Sequence, residues 1–174
     1  MKNIYSNIYS FNKRILNKTV KILKEGNIAG LPTETVYGLA GNAYSNKALK
    51  KIFKLKRRPK KNPLIIHYFK IKDAEKDVIL NRHFFKLYKK FCPGPITFVL
   101  KKNKKSKIKG IATANLNTVA IRFPSHIVIK SILKKTNFPL AMPSANISSG
   151  LSPISAYDVF EEFKKKLKFI INGG

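Results

Sequence analysis

Short apolar runs alternate with amphipathic stretches along this chain, and that alternation constrains its fold more than any other feature. From Asn12 to about Glu25, Ile15, Leu16, Thr19, Ile22 and Leu23 recur at helical spacing, and Gly26 supplies a stop. Residues 27–31 read as a short buried strand broken by Pro32. Ser45 is placed to cap a second helix that carries Ala48, Leu49, Ile52, Phe53 and Leu55. A strand over 64–69, a helix through Phe84, Phe85, Leu87 and Tyr88, a turn at Cys92-Pro93-Gly94-Pro95 and a strand over 96–100 follow. Residues 101–109 hold six lysines and one apolar residue and read as an exposed loop. Beyond them come a strand over 118–123, a helix capped by Ser125 and carrying Ile127, Val128, Ile132 and Leu133, and a strand over 138–142. A helix over 152–166 and a strand over 169–171 complete the order. It predicts an α/β domain of the α+β type, a sheet layered with helices.

The length of 174 residues and an apolar content of 44% suit one domain, expected over 1–174, with a sizeable core. No run approaches the roughly 18 apolar residues of a membrane span, and Met1-Lys2-Asn3-Ile4-Tyr5 leads into no signal-type stretch, so a cytoplasmic protein without a membrane partner is expected. The single cysteine, Cys92, excludes an internal disulfide and a zinc-type Cys/His cluster, and no metal ligand set is expected. A formal charge of +28 attracts polyanions, RNA among them. All but five of the 36 basic residues are lysines, however, and Asn and Ile are abundant too, a bias that A/T-rich codon usage produces by itself. The arginines carry more information, and Arg57, Arg58 and Arg122 all fall beside polar loops.

Two of those loops, Pro32-Thr33-Glu34-Thr35-Val36-Tyr37-Gly38 and Pro143-Ser144-Ala145-Asn146, emerge from strand-like runs. A third stretch, Lys56-Arg57-Arg58-Pro59-Lys60-Lys61-Asn62-Pro63-Leu64, precedes the run that contains His67. Hydroxyls, a carboxamide and guanidinium groups together suit a phosphate-bearing ligand. Neither a Walker loop nor a Gly-x-Gly-x-x-Gly turn is present, so a nucleotide would be held in another way. Lys56 and Arg58 can neutralise phosphate charge if the chain turns at Pro59 and brings them together. Taken singly, each motif has an ordinary explanation as a cap, a turn or a solvated cluster. Arg122 is the exception, because an arginine among apolar neighbours needs an anionic partner.

In their order, Pro32-Thr33-Glu34-Thr35-Val36-Tyr37-Gly38, Lys56-Arg57-Arg58-Pro59, Asn62-Pro63-Leu64, Cys92-Pro93-Gly94-Pro95-Ile96-Thr97, Ala120-Ile121-Arg122-Phe123-Pro124 and Pro143-Ser144-Ala145-Asn146-Ile147-Ser148 resemble the YrdC-like family of threonylcarbamoyl-AMP synthases over about residues 12–174. The resemblance implies a twisted, mixed open sheet flanked by helices around a deep basic cavity. It implies synthesis of threonylcarbamoyl-AMP from L-threonine, bicarbonate or CO2 and ATP, with release of pyrophosphate, for N6-threonylcarbamoyladenosine in tRNA. Thr35, His67, Arg122 and the backbone at Met142 would hold threonine. Arg58, Asn62, Thr118, Ser144 and Ser152 would hold ATP with its Mg²⁺, and Lys56, Arg58, Ser144 and Asn146 match the family's polar tetrad. A tRNA threonylcarbamoyltransferase complex would accept the product, with tRNA or structured RNA as a further partner. Members usually continue past Gly173-Gly174 with a segment that closes over the ligands, so the domain is expected to lack that closure. Two alternatives stand beside this reading: a non-catalytic RNA-binding protein on the same scaffold, and a relative that forms a carbamoyl-adenylate from carbamoyl phosphate. Single-domain length and the absence of zinc-finger cysteines weigh against the second.

Overall fold

The computed structural model describes residues 5–173; residues 1–4 and 174, the ends of the expected domain, lie outside the described residues. Eight strands and seven helices follow in the order β1 (Ile8–Ser10), α1 (Lys13–Lys24), β2 (Ala29–Leu31), β3 (Gly38–Asn42), α2 (Asn46–Lys56), β4 (Ile65–His67), α3 (Ile71–Ala74), α4 (Arg82–Phe91), β5 (Thr97–Lys101), α5 (Gly110–Thr113), β6 (Thr118–Arg122), α6 (Ile127–Lys135), β7 (Leu140–Ala141), α7 (Ala156–Phe163) and β8 (Ile170–Asn172). The strands form one mixed sheet in the order β1-β8-β2-β3-β7-β4-β6-β5. The β1–β8, β2–β8 and β4–β6 pairs are parallel; β2–β3, β3–β7, β4–β7 and β5–β6 are antiparallel. This is the mixed sheet flanked by helices that the family resemblance implies.

Capping side chains set where helices begin. Asn12 Oδ1 accepts the Ile15 N–H at 2.9 Å and Ser45 Oγ accepts the Ala48 N–H at 3.3 Å, both as expected. Two other starts differ from expectation. The α6 cap is His126, whose Nδ1 accepts the Val128 N–H at 3.2 Å, rather than Ser125. The last helix begins at Ala156 rather than Ser152, because Ser155 and Asp158 form a reciprocal capping box and Pro153 lies upstream. It ends at Phe163, where a single 3₁₀ turn over Lys164–Lys166 takes over.

The sheet is covered unevenly. On one face Leu49, Ile52, Phe84, Ile121 and Phe160 belong to a core that α2, α4 and α7 pack against the strands. On the other, α1 and α6 contribute Leu23, Val128, Ile129 and Ile132 to a smaller core with Leu31, Ala40, Leu140 and Met142. That second core includes no residue of β4, β5 or β6. In the row Ile65–Ala120–Val99, set by the strand register, Val99 is 67% exposed. The partly open half of the sheet is therefore where a ligand can approach.

The loop over 101–109 exposes five of its six lysines, as composition suggests, yet it is pinned from within. Asp77, fully buried, accepts hydrogen bonds from the Tyr44 and Tyr68 hydroxyls at 2.6 and 3.0 Å through one oxygen. Its other oxygen accepts the Ser106 hydroxyl at 2.8 Å and the Lys107 N–H at 3.0 Å, and Ile108 is buried beside them. Hydrogen bonds to a charged group are worth about 1.5–3 kcal/mol each. Asp77→Asn keeps the shape but turns an amide N–H₂ toward donors, so a loss of about 2 kcal/mol in urea unfolding is expected. A change below roughly 0.5 kcal/mol would show that the carboxylate does not pin the loop.

Candidate active site

The first polar loop is shaped by its own hydroxyl. Thr33 Oγ1 accepts the Thr35 and Val36 N–H groups, both at 3.2 Å, and donates to the Val36 carbonyl at 2.6 Å. The second loop is tied to the first through the Leu39 N–H on the Pro143 carbonyl at 2.9 Å and the Ala145 N–H on the Tyr37 carbonyl at 2.8 Å. Gly38 and Ser144 face each other across a bridge there. Between the loops and the ends of β4 and β6 lies a cavity of about 260 Å³. Thr35, His67, Arg122 and Met142 line it together with Arg58 and Ser144.

Close backbone approach at Gly38 leaves that space open. An added Cβ would overlap Met142 and sit 2.8 Å from its Sδ. Gly38→Ala is expected to push Met142 into the cavity and raise the KM for the small substrate roughly tenfold, the scale of an added methyl in a full pocket. Steady-state kinetics checks this, and an unchanged KM would place the substrate elsewhere.

Arg122 spans the floor. Its Nε and Nη2 donate to Thr97 Oγ1 at 3.1 and 3.0 Å, and its Nη1 donates to Thr35 Oγ1 at 3.3 Å. The anionic partner that its apolar strand demands is Glu34, 3.9 Å away. Glu34 Oε2 accepts the Ser125 N–H at 3.2 Å, while Oε1 is buried without a hydrogen bond. His67 lies beside Arg122 across the parallel β4–β6 pair and is 2% exposed. Burial and then the Arg122 charge depress its pKa to about 3, so the imidazole is neutral at working pH. Its Nδ1 is buried without a hydrogen-bond partner, which is uncommon for a polar atom in a folded protein.

Lys56 and Arg58 part company at the end of α2. The turn between them is at Arg57, in the left-handed region with φ of 50°, rather than at Pro59. The Arg58 N–H bonds the Phe53 carbonyl at 3.0 Å and the Arg57 N–H bonds the Lys54 carbonyl at 3.3 Å, closing a Schellman motif without glycine. Arg58 then reaches the cavity, held by the Asn62 carbonyl on Nε at 3.1 Å and the Pro63 carbonyl on Nη2 at 2.9 Å. Lys56, only 1% exposed, turns inward. Its Nζ donates to the Ser144 carbonyl at 2.6 Å and to the Asn146 carbonyl, and its own carbonyl accepts the Ser148 N–H at 2.9 Å. Burial, with the Arg58 charge and against the opposing pull of Glu162, lowers the lysine pKa to about 8.

The geometry thus brings six of the expected residues onto one cavity and leaves Lys56, Asn62, Thr118, Asn146 and Ser152 outside its lining. Asn146 ends the second loop, where its carbonyl accepts Lys56 Nζ and its Nδ2 donates to the Ile147 and Gly150 carbonyls at 2.8 Å each. Asn62, Thr118 and Ser152 are exposed and outside the cavity lining, Thr118 at the far end of β6 opposite Lys101. Glu34 and Thr97 carry no individual assignment in the sequence reading, although both lie within its motifs. Alternation along β5 puts Thr97 on the Arg122 face, the one signal that points to it.

Two guanidinium groups, a neutral imidazole and hydroxyls around a small cavity at the partly open half of a mixed sheet define an α/β domain with a cationic, hydrogen-bonding pocket. The chain belongs to the Sua5/YciO/YrdC family, whose model, described as telomere recombination, matches residues 21–174. A threonylcarbamoyl-AMP synthase of Pyrococcus abyssi (strain GE5 / Orsay) is 42% identical over 155 residues, covering 87% of this chain and 44% of that protein. One from Bacillus subtilis (strain 168) is 37% identical over 166 residues, covering 95% of this chain and 48% of that protein. The crystal structure of P. abyssi Sua5 complexed with L-threonine matches with a TM-score of 0.91 at 38% identity, over 96% of this chain and 50% of that one. The chain spans about half the length of these relatives.

Proposed function

We propose that this domain makes threonylcarbamoyl-AMP from L-threonine, bicarbonate or CO2 and ATP, releasing pyrophosphate. The observation that carries the reading is Arg122 facing the same 260 Å³ space as Arg58 and Ser144. That volume is below the roughly 300–1,000 Å³ of drug-sized pockets and suits an amino acid meeting the reacting end of a larger substrate. The relatives named for this reaction, and the one bound to L-threonine, support it.

Arg122 would take the threonine carboxylate, Thr35 and His67 its polar groups, and Met142 its methyl side. Addition of CO2 to the amine yields a carbamate and one proton. The carbamate oxygen then attacks the α-phosphorus of ATP as the bond to pyrophosphate breaks. Such a transfer needs positioning and charge stabilisation more than covalent help. Arg58 lies at the cavity to meet phosphate oxygens, and Lys56 fixes the loop that presents Ser144. A base is most effective with a pKa near working pH, so His67 at about 3 is assigned to binding. Among the described residues no carboxylate lines the cavity, so Mg²⁺ arriving with ATP would be held by phosphate oxygens and water. Asn62, Thr118 and Ser152 would contact the outer part of ATP. The product, a mixed anhydride, would pass to a tRNA threonylcarbamoyltransferase complex.

The test incubates the protein with ATP, Mg²⁺, bicarbonate and radiolabelled L-threonine, following pyrophosphate and labelled adenylate, with L-serine as control. Threonine-dependent pyrophosphate is expected. Its absence, alongside salt-sensitive RNA binding, would replace this reading with the RNA-binding one.

A further inference from the structure

We propose that Thr97 is a positioning residue: it holds the Arg122 guanidinium away from Glu34 and presents its outer edge to the carboxylate of the substrate. The proposal rests on the amino-acid site proposed above. Thr97 and Arg122 are directly opposed across β5 and β6, and His67 is opposed to Arg122 across β4 and β6, so the three side chains form one row on the open face.

A guanidinium has five N–H groups and receives a carboxylate in bidentate fashion through either of two edges, Nε with Nη2 or Nη1 with Nη2. Thr97 Oγ1 takes Nε and Nη2 together, at 3.1 and 3.0 Å, and so occupies the first edge. One N–H of Nη1 goes to Thr35. Nη1 and Nη2 each keep one N–H for a ligand in the cavity that Arg122 lines.

Glu34 makes that anchor necessary. Its Oε1 is buried, has no hydrogen bond and lies 3.9 Å from Nη1, and both side chains are largely removed from water, at 13% and 15% exposure. A guanidinium free to turn would gain by forming a bidentate pair with this carboxylate, because the resident carboxylate needs no binding entropy to arrive. Substrate would then compete with an internal anion. Thr97 Oγ1 accepts two charge-assisted donors, and the turned geometry would forfeit both.

Thr97→Val is close in shape and removes the acceptor. The expected result is a KM for L-threonine raised roughly tenfold or more, the scale of a lost hydrogen bond to a charged group, with kcat and the KM for ATP changed less than about threefold. Thr97→Ser should restore the KM. The double variant Thr97→Val/Glu34→Gln should recover most of it too, because the competing carboxylate is gone; a purely structural role for Thr97 would not respond to Glu34. Nitrogen-15 NMR of Arg122 Nε–H reads the anchor without substrate: a slowly exchanging signal in wild type and Thr97→Ser, lost in Thr97→Val. An unchanged KM and an unchanged Nε–H signal in Thr97→Val each overturn the proposal, as does a raised KM that the double variant leaves in place. Wild type without threonine-dependent turnover overturns the reaction reading instead, and the Nε–H signal then decides the anchor alone.

Discussion

Arg122→Ala should lower kcat/KM for L-threonine by roughly 10²–10³, about 3–4 kcal/mol of transition-state stabilisation. Two losses combine in that figure. The substrate carboxylate would enter a site shielded from bulk water with no cation to meet it. The Glu34 carboxylate, already lacking a partner on Oε1, would lose the nearby charge that offsets its burial. The variant should therefore also melt earlier than wild type, and adding Glu34→Gln should recover melting temperature without recovering turnover. The KM for ATP should move only a few-fold, because Arg58 and Ser144 approach the cavity from other elements. Initial rates against both substrates, with thermal melts, check all three statements. A change in kcat/KM for threonine under threefold would remove Arg122 from the site.

Lys56→Met is expected to cost about 2–4 kcal/mol of stability and at least roughly a hundredfold in turnover. The reason is not lost contact with phosphate, since Lys56 is buried and outside the cavity lining. Its Nζ is instead the donor for two carbonyls of the second loop, at Ser144 and Asn146, and methionine leaves both unpaired. A displaced Ser144 would misplace the reacting end of ATP, and small misplacements are costly in rate. The pH dependence separates this lysine from a solvated one. Its folded pKa of about 8 lies below the ordinary lysine value of 10.5, so between those values the unfolded chain binds more protons and stability from this group rises with pH. Below about pH 8 both states hold the proton and the cost of burying the charge is fully felt; above 10.5 neither does. The stability of wild type minus that of Lys56→Met, from urea unfolding, should thus grow between pH 8 and 10.5. A flat difference would mean that the ammonium is not desolvated.

What could be read in the sequence follows from the range of the forces involved. Asn12 and Ser45 cap helices by contacts three residues long, and their apolar stripes recur locally, so both helix starts were legible. The strand Gly38–Asn42 was not: its two glycines and alanine give little strand propensity, and it is a central strand because helix and sheet neighbours enclose it. Gly41 is needed for the same reason, since a Cβ there would meet Ile52 and Ala48 at 3.1 and 3.2 Å. The loops Pro32–Gly38 and Pro143–Asn146 were legible because motif order carries them, and the need of Arg122 for an anionic neighbour because the residues flanking it are apolar. The inward turn of Lys56 was not, because its carbonyl partners at Ser144 and Asn146 are 88 and 90 residues away. Asp77 escaped notice likewise; nothing local marks a carboxylate whose donors come from Tyr44, Tyr68 and the 106–107 turn.

The uneven cover of the sheet also divides labour within the domain. Where α1 and α6 back β2, β3 and β7, the strands are sandwiched and local opening must break two packed layers. Where β4 and β6 are faced on their other side by the Pro32–Gly38 loop and β5 carries an exposed Val99, that side has no second helix layer among the described residues. Ligand can act as the missing ply: by binding only the native arrangement it would add stability where the protein itself supplies least. Durability is concentrated in one half of the board and receptivity in the other.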